Sequence, residues 1–189
     1  MQEIEIQVQV ENVDNLKSFL TENAQFISEK RQVDEYFTPA HRDFIGVRPI
    51  SEWLRLRNEG DEYSFNYKQW HYDDNGHGTF AEEFETVISD IESAHSILQA
   101  INCRQVVVVD KSRQKWMLGD YEIALDSVTG LGEFIEIEYK GKKYIEDPKA
   151  MMEEMRNFLR THGCGKLRIN NGGYAQLLLI PAEVRIWEV

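Results

Sequence analysis

Charged side chains recur two residues apart along this chain. Glu3 and Glu5, Arg55 and Arg57, Glu83 and Glu85, Lys111 and Arg113, and Glu136 and Glu138 are such pairs, and Lys68 and Asp126 stand in the same kind of segment. Side chains along a strand alternate between its faces, so residues two apart share one. The positions between are mostly apolar: Ile4 and Ile6, Leu54 and Leu56, Ile135 and Ile137. Each segment therefore reads as a strand with one apolar face and one charged face. Water alone explains one such strand. Repetition along the chain asks for a shared purpose.

The residue types narrow that purpose. Two guanidiniums side by side repel unless an anion lies between them, and arginine grips phosphate bidentately. Carboxylates cannot be dehydrated unpaired; they need cations. An oxygen-only donor set without His or Cys suits Mg²⁺ or Mn²⁺. Gathered on one lining, the acids Glu3, Glu5, Glu83, Glu85, Asp126, Glu136 and Glu138 exceed the bases Arg55, Arg57, Lys68, Lys111 and Arg113 by two charges. Divalent ions with a chain of phosphates answer both signs at once, because such metals bridge phosphate oxygens. The plain alternative is that the two signs neutralise each other as cross-strand pairs. His71, Asp73 and His77 form a weaker metal candidate, since turn chemistry explains Asp and Gly around Asn75-Gly76. His41 lies in a Pro-bounded loop, where solvation explains it.

The elements that must position these residues follow from the periodicity. Strands are predicted over residues 1–10, 25–37, 53–57, 62–70, 79–87, 104–118, 121–126 and 134–139, with a final edge strand over 185–189. In the strand over 25–37, Lys30, Arg31, Asp34 and Glu35 do not alternate cleanly and receive no role. Helices are predicted from Asn12 or Asp14 to Asn23, from Ser89 or Asp90 to Ile101, and from Asp147-Pro148 to Thr161, each with an apolar stripe. Tyr174 to Leu179 reads as a short helical cap. Three amphipathic helices can cover the apolar sheet faces. An antiparallel sheet of about eight strands, curled closed with helices outside, would turn its charged face inward. The expected fold is thus α+β, a closed antiparallel eight-stranded barrel with a charged, watery bore.

Composition bounds the rest. The 189 residues suit one domain, and a 42% hydrophobic content argues against general disorder. A formal net charge of -12 disfavours nucleic acid or an anionic membrane as main partner. Cys103 and Cys164 follow no metal spacing and read as free thiols. Residues 2–10 alternate and carry acids, so no leader is expected there, and no apolar run approaches the roughly 20 residues of a membrane helix. The expected location is the cytoplasm.

The ordered motifs resemble a known family. Glu3-Ile4-Glu5-Ile6-Gln7 is similar to the N-terminal E-x-E-x-K signature of the CYTH family, the triphosphate tunnel metalloenzymes. Leu54-Arg55-Leu56-Arg57, Tyr67-Lys68, Glu83-Phe84-Glu85, Lys111 with Arg113, Leu125-Asp126 and Glu136-Ile137-Glu138 follow in that family's order. The similarity runs from residue 1 to about 140, and it implies one such domain over residues 1–189. The family includes class IV adenylate cyclases, thiamine triphosphatases and inorganic triphosphatases, and its fold is a closed eight-stranded tunnel. By this resemblance Glu3, Glu5, Glu85, Asp126, Glu136 and Glu138 would hold Mg²⁺ or Mn²⁺. Arg55, Arg57, Lys68, Lys111 and Arg113 would hold the triphosphate, and Glu3, Glu5, Lys111 and Glu136 would be the catalytic residues. The implied ligand is ATP, thiamine triphosphate or tripolyphosphate, with no nucleic acid or membrane; a homodimer is compatible. The implied reaction is hydrolysis of a triphosphate, or cyclisation of ATP to cyclic AMP and pyrophosphate. Gln7 departs from the signature lysine; it hydrogen-bonds but carries no charge. A site reduced to binding is therefore a third reading.

Overall fold

The structure, a computed structural model, describes residues 4–72, 78–169, 172–181 and 187–188. In chain order it contains β1 (Glu5–Gln9), α1 (Asp14–Asn23), β2 (Gln25–Pro39), β3 (Glu52–Asn58), β4 (Tyr63–Tyr72), β5 (Gly78–Ile88), α2 (Ile91–Ala100), β6 (Cys103–Leu118), β7 (Tyr121–Val128), β8 (Gly132–Tyr139), α3 (Pro148–Thr161), β9 (Arg168–Ile169), α4 (Gly173–Leu179) and β10 (Trp187–Glu188). The predicted turn at Asn75-Gly76 and most of the predicted edge strand over 185–189 lie outside the described residues.

The helices start where the sequence supplies a cap. Asp90 accepts a bond from the Ser93 amide at 3.0 Å, and Asp147 accepts one from the Ala150 amide at 3.0 Å with Pro148 in the first turn. At α1 the capping position falls instead on Val13, while Asn12 bonds the Asp14 amide at 2.7 Å. Gly163, at φ +69°, takes the left-handed conformation that ends α3.

The expected closed barrel is not what forms. Among the described residues the strands make one ten-stranded sheet in the order β10-β9-β1-β8-β7-β6-β2-β3-β4-β5. A barrel needs every strand bonded on both edges. Here β10 and β5 are ends of the order. The second edge of β1 is taken by β9 at Val8↔Ile169 and Gln9↔Arg168, so a C-terminal segment occupies an edge that closure requires. The fold is α+β with an open sheet.

The chain divides into two compact units, Met1–Lys30 with Lys111–Val189, and Arg31–Asp110. In the first unit, Ile4, Ile6 and Val8 of β1, Ile123 and Leu125 of β7, and Ile135 and Ile137 of β8 form an apolar face. Leu16 and Leu20 of α1 and Met155 and Leu159 of α3 bury against it. Each such aliphatic side chain contributes about 1.5–3 kcal/mol on full burial. In the second unit, Phe37 and Leu56 pack with Leu98, Ile91 and Ala94 of α2. Helix burial thus fixes which sheet face is apolar, and the charged side chains are left on the other.

Candidate functional site

In the first unit the charged face is built on register. Gln7 lies opposite Glu136 and Glu5 opposite Glu138 across β1 and β8. Glu136 lies opposite Ala124 across β7, and Arg113 opposite Asp126 across β6 and β7. Asp126 is fully buried, at 0% exposure, and collects donors from three residues. Arg113 donates Nε to Oδ1 at 2.7 Å and Nη2 to Oδ2 at 2.6 Å; Lys111 Nζ reaches Oδ2 at 3.2 Å; and the Tyr174 hydroxyl of α4 reaches Oδ2 at 2.8 Å. Arg113 also donates to Glu136, at 3.3 Å and 3.1 Å, and Gln7 Nε2 donates to Glu136 Oε2 at 3.0 Å.

These contacts explain the electrostatics. Burial pushes the Asp126 carboxyl up, but bonds from Arg113 and the charge of Lys111 outweigh it, so it lies below the ordinary carboxylate range. Glu136 follows the same logic: burial raises it, and the charges of Arg113 and Lys111 with the Gln7 bond bring it down. Burial, then the charge of Asp126, hold the Tyr174 hydroxyl protonated well above its usual range. Lys111 is only 4% exposed, with its ammonium 4.8 Å from the Tyr174 ring centroid. Helix α4 therefore packs on the charged side, where Tyr174 also meets Phe134 edge-on at 4.9 Å.

In the second unit the register runs Asp34↔Arg57, Arg57↔Ser64 and Ser64↔Val87 at one level. It runs Tyr36↔Arg55, Arg55↔Asn66 and Asn66↔Glu85 at the next. Lys68 lies opposite Glu83 one level further along β4 and β5. Asp34 takes Arg57 side-on, Nε to Oδ1 at 2.5 Å and Nη2 to Oδ2 at 2.7 Å, and Arg55 Nη1 stands 3.9 Å from Asp34 Oδ2. Burial lowers the Arg57 guanidinium, and its bonds and attraction to Asp34 more than reverse this. Arg55 reaches Glu85 at 3.4 Å, Lys68 reaches Glu83 at 3.2 Å, Asn66 donates to Glu83 at 2.7 Å and Ser64 to Glu85 at 3.0 Å. Glu83 and Glu85 have side chains 41% and 48% exposed, whereas those of Arg55 and Arg57 are 16% and 19% exposed.

The structure thus brings Lys111, Arg113, Asp126 and Glu136 into direct contact in one unit, with Glu5 beside Glu138 in register. It brings Arg55, Arg57, Lys68 and Glu85 onto one face in the other. Glu3, Asp73 and His77 lie outside the described residues. His71 meets Glu82 at 2.9 Å. Two residues given no site role emerge. Asp34 was hidden by the exposed polar run before it, although Gln32, Asp34, Tyr36 and Thr38 share a face. Tyr174 sits 48 positions from Asp126, and only its aromatic-plus-hydroxyl character, apt for a buried polar contact, marks it.

The donor chemistry for a divalent cation is split. Among the described residues no group of three or more His, Cys, Asp or Glu is close enough to hold a metal ion. Asp126 does not fit as a ligand, because Arg113, Lys111 and Tyr174 already crowd its oxygens. Glu85 is spent on Arg55 and Ser64. Glu5 and Glu138 fit better: two oxygen donors opposite each other on one face, although Glu138 also meets Lys140 at 2.5 Å.

Comparison with known proteins gives this geometry a lineage. The chain is 32% identical over 181 residues to a protein of Methanocaldococcus jannaschii named "Putative adenylate cyclase", covering 94% of this chain and 98% of that one. A Pyrococcus horikoshii protein of known structure superposes with a TM-score of 0.67 at 27% identity, covering 88% of this chain and 93% of that chain. A Hippeastrum protein, described as a "putative adenylyl cyclase" with a dominant triphosphatase activity, superposes with a TM-score of 0.70 at 16% identity, covering 97% of this chain and 100% of that chain, a likeness of fold. The model of the CYTH domain matches residues 1–169, and the chain belongs to the CYTH domain family.

Proposed function

We propose that this protein is a divalent-metal-dependent enzyme acting on a triphosphate, by hydrolysis of an organic or inorganic triphosphate. The observation that carries the reading is the Arg55–Arg57 pair, two guanidiniums on one face with Lys68 on the next strand. The outer partners of Arg55 and Lys68, Glu85 and Glu83, are about half exposed, so a phosphate can replace a solvated carboxylate there. Arginine presents its fork to phosphate as it does to carboxylate. Lys111 and Arg113 are held inside by Asp126. In this reading they add positive field to the charged face of their own unit and keep Glu136 ionised.

Mg²⁺ or Mn²⁺ would be held within the first unit by Glu5 and Glu138, with Glu3 as the signature's further acid, and would lower the pKa of a bound water. Gln7 orients Glu136 by its bond at 3.0 Å but supplies no charge and no base near neutral pH. The relative in Methanocaldococcus jannaschii, named for adenylate cyclase at 32% identity, favours a second reading: attack of the ATP 3′-hydroxyl on the α-phosphorus with release of pyrophosphate. The dominant triphosphatase activity of the Hippeastrum protein supports hydrolysis at the level of fold alone.

Product analysis separates the two. The protein is incubated with ATP, tripolyphosphate and thiamine triphosphate, each with Mg²⁺ or Mn²⁺. Released phosphate supports hydrolysis; cyclic AMP with pyrophosphate supports cyclisation. Tight binding without turnover supports a sensor, and neither binding nor turnover refutes the triphosphate reading.

A further inference from the structure

We propose that Asp34 is a positioning residue that sets Arg57 and Arg55 for phosphate, an inference that rests on the triphosphate reading above. Two guanidiniums on one strand face repel, and something must hold them in place before a ligand arrives. Asp34 does so from the neighbouring strand. Both of its oxygens take the Nε–Nη2 edge of Arg57, and Oδ2 also stands 3.9 Å from Arg55 Nη1. Its side chain is 3% exposed, so water does not compete for it. The two arginines therefore share one buried counter-ion and keep their spacing without a ligand.

The contacts divide into an inner and an outer set. The inner one is Asp34. The outer ones are Glu85 on Arg55 at 3.4 Å and Glu59 on Arg57 at 3.6 Å, both carboxylates more exposed than Asp34, and the Glu59 contact longer than the Asp34 bonds to Arg57. The Nε of Arg55 is buried without a hydrogen-bond partner, so its guanidinium is not saturated. An incoming phosphate exchanges with the outer set, while the inner carboxylate keeps each guanidinium aimed. A fork spent on Asp34 along one edge leaves Nη1 of Arg57 for the ligand. Pre-orientation of this kind removes the cost of ordering two long side chains at binding.

The test turns on sign. Asp34→Asn removes one negative charge, and simple attraction then predicts tighter binding of an anion. Positioning predicts the opposite: an amide cannot accept both Arg57 donors. The dissociation constant for tripolyphosphate, measured by calorimetry in Mg²⁺, is expected to rise by about tenfold or more. Unchanged or tighter binding by D34N overturns the inference. If D34N fails to fold, R57Q is compared with D34N/R57Q, which leaves no unpaired buried charge. Equal or weaker binding by the double variant supports the inference, through Arg57 alone or through Arg55 as well; tighter binding overturns it. Wild-type protein that binds no tripolyphosphate refutes the parent reading as well, whereas binding by wild type with an indifferent D34N refutes this inference alone.

Discussion

Arg113 and Asp126 face each other across β6 and β7, and the guanidinium meets the carboxylate through two bonds of 2.7 and 2.6 Å. Asp34 and Arg57 repeat the arrangement in the other unit, again through Nε and Nη2. Each unit thus anchors an arginine on its charged face with one buried aspartate. Breaking a buried pair leaves a charge with no solvent to receive it. Arg113→Met is expected to lose about 3–5 kcal/mol of stability, and Arg113→Met with Asp126→Leu not to recover it, because buried Lys111 then loses the same carboxylate. Urea denaturation of the two variants checks it.

Acid should unfold the protein from this site. Asp126 and Glu136 have folded pKa values below their ordinary 3.8 and 4.5. An unfolded chain therefore binds more protons than the folded one as pH falls toward those values. The stabilisation is present above the ordinary values and is lost as pH drops through the lowered ones. Thermal melts should hold steady above about pH 5 and fall below about pH 4. Asp126→Asn should flatten that fall while lowering stability at neutral pH.

The Tyr174 hydroxyl donates to a carboxylate with 0% exposure, so removing it deprives a buried acceptor of one partner. Tyr174→Phe is expected to cost about 1–3 kcal/mol. Its ring keeps the contacts with Lys111 and Phe134, so Tyr174→Leu should cost more. Denaturant midpoints of the two variants rank them.

Gln7 bonds Glu136 where the family signature carries a lysine. Gln7→Lys would bring a positive charge beside a half-buried carboxylate. On the proposed function it should raise triphosphate turnover severalfold, with initial rates in Mg²⁺ and Mn²⁺ as the measure. An unchanged rate would show that the charge at this position is not limiting.

Replacing Arg55 or Arg57 by alanine removes a guanidinium from the proposed phosphate grip. Each is expected to weaken tripolyphosphate binding by about tenfold or more, a charged hydrogen-bonding group being worth roughly 1.5–3 kcal/mol. Arg57→Ala also takes from Asp34 its shortest bonds and should lower the melting temperature more than Arg55→Ala does. Calorimetry with parallel melts separates the two effects.

Much of this was written in local pattern. Alternation at Glu136-Ile137-Glu138 and Leu54-Arg55-Leu56 fixed which side chains share a face, because a strand has a period of two and its apolar side must be buried. Helical stripes and the caps at Asp90 and Asp147 located the elements that cover those faces. Motif order pointed to the CYTH family, which the match over residues 1–169 bears out. What the sequence could not carry were partners remote in the chain. Asp34 reads as one polar residue among several until β3 sets Arg57 opposite it. Tyr174 reaches Asp126 only through the path of the chain after α3, and the edge of β1 goes to β9 rather than to a closing strand. Side-chain periodicity is a local property of the backbone; the choice of edge partner and of buried counter-ion is settled by which distant segments pack together, and only the folded chain decides that.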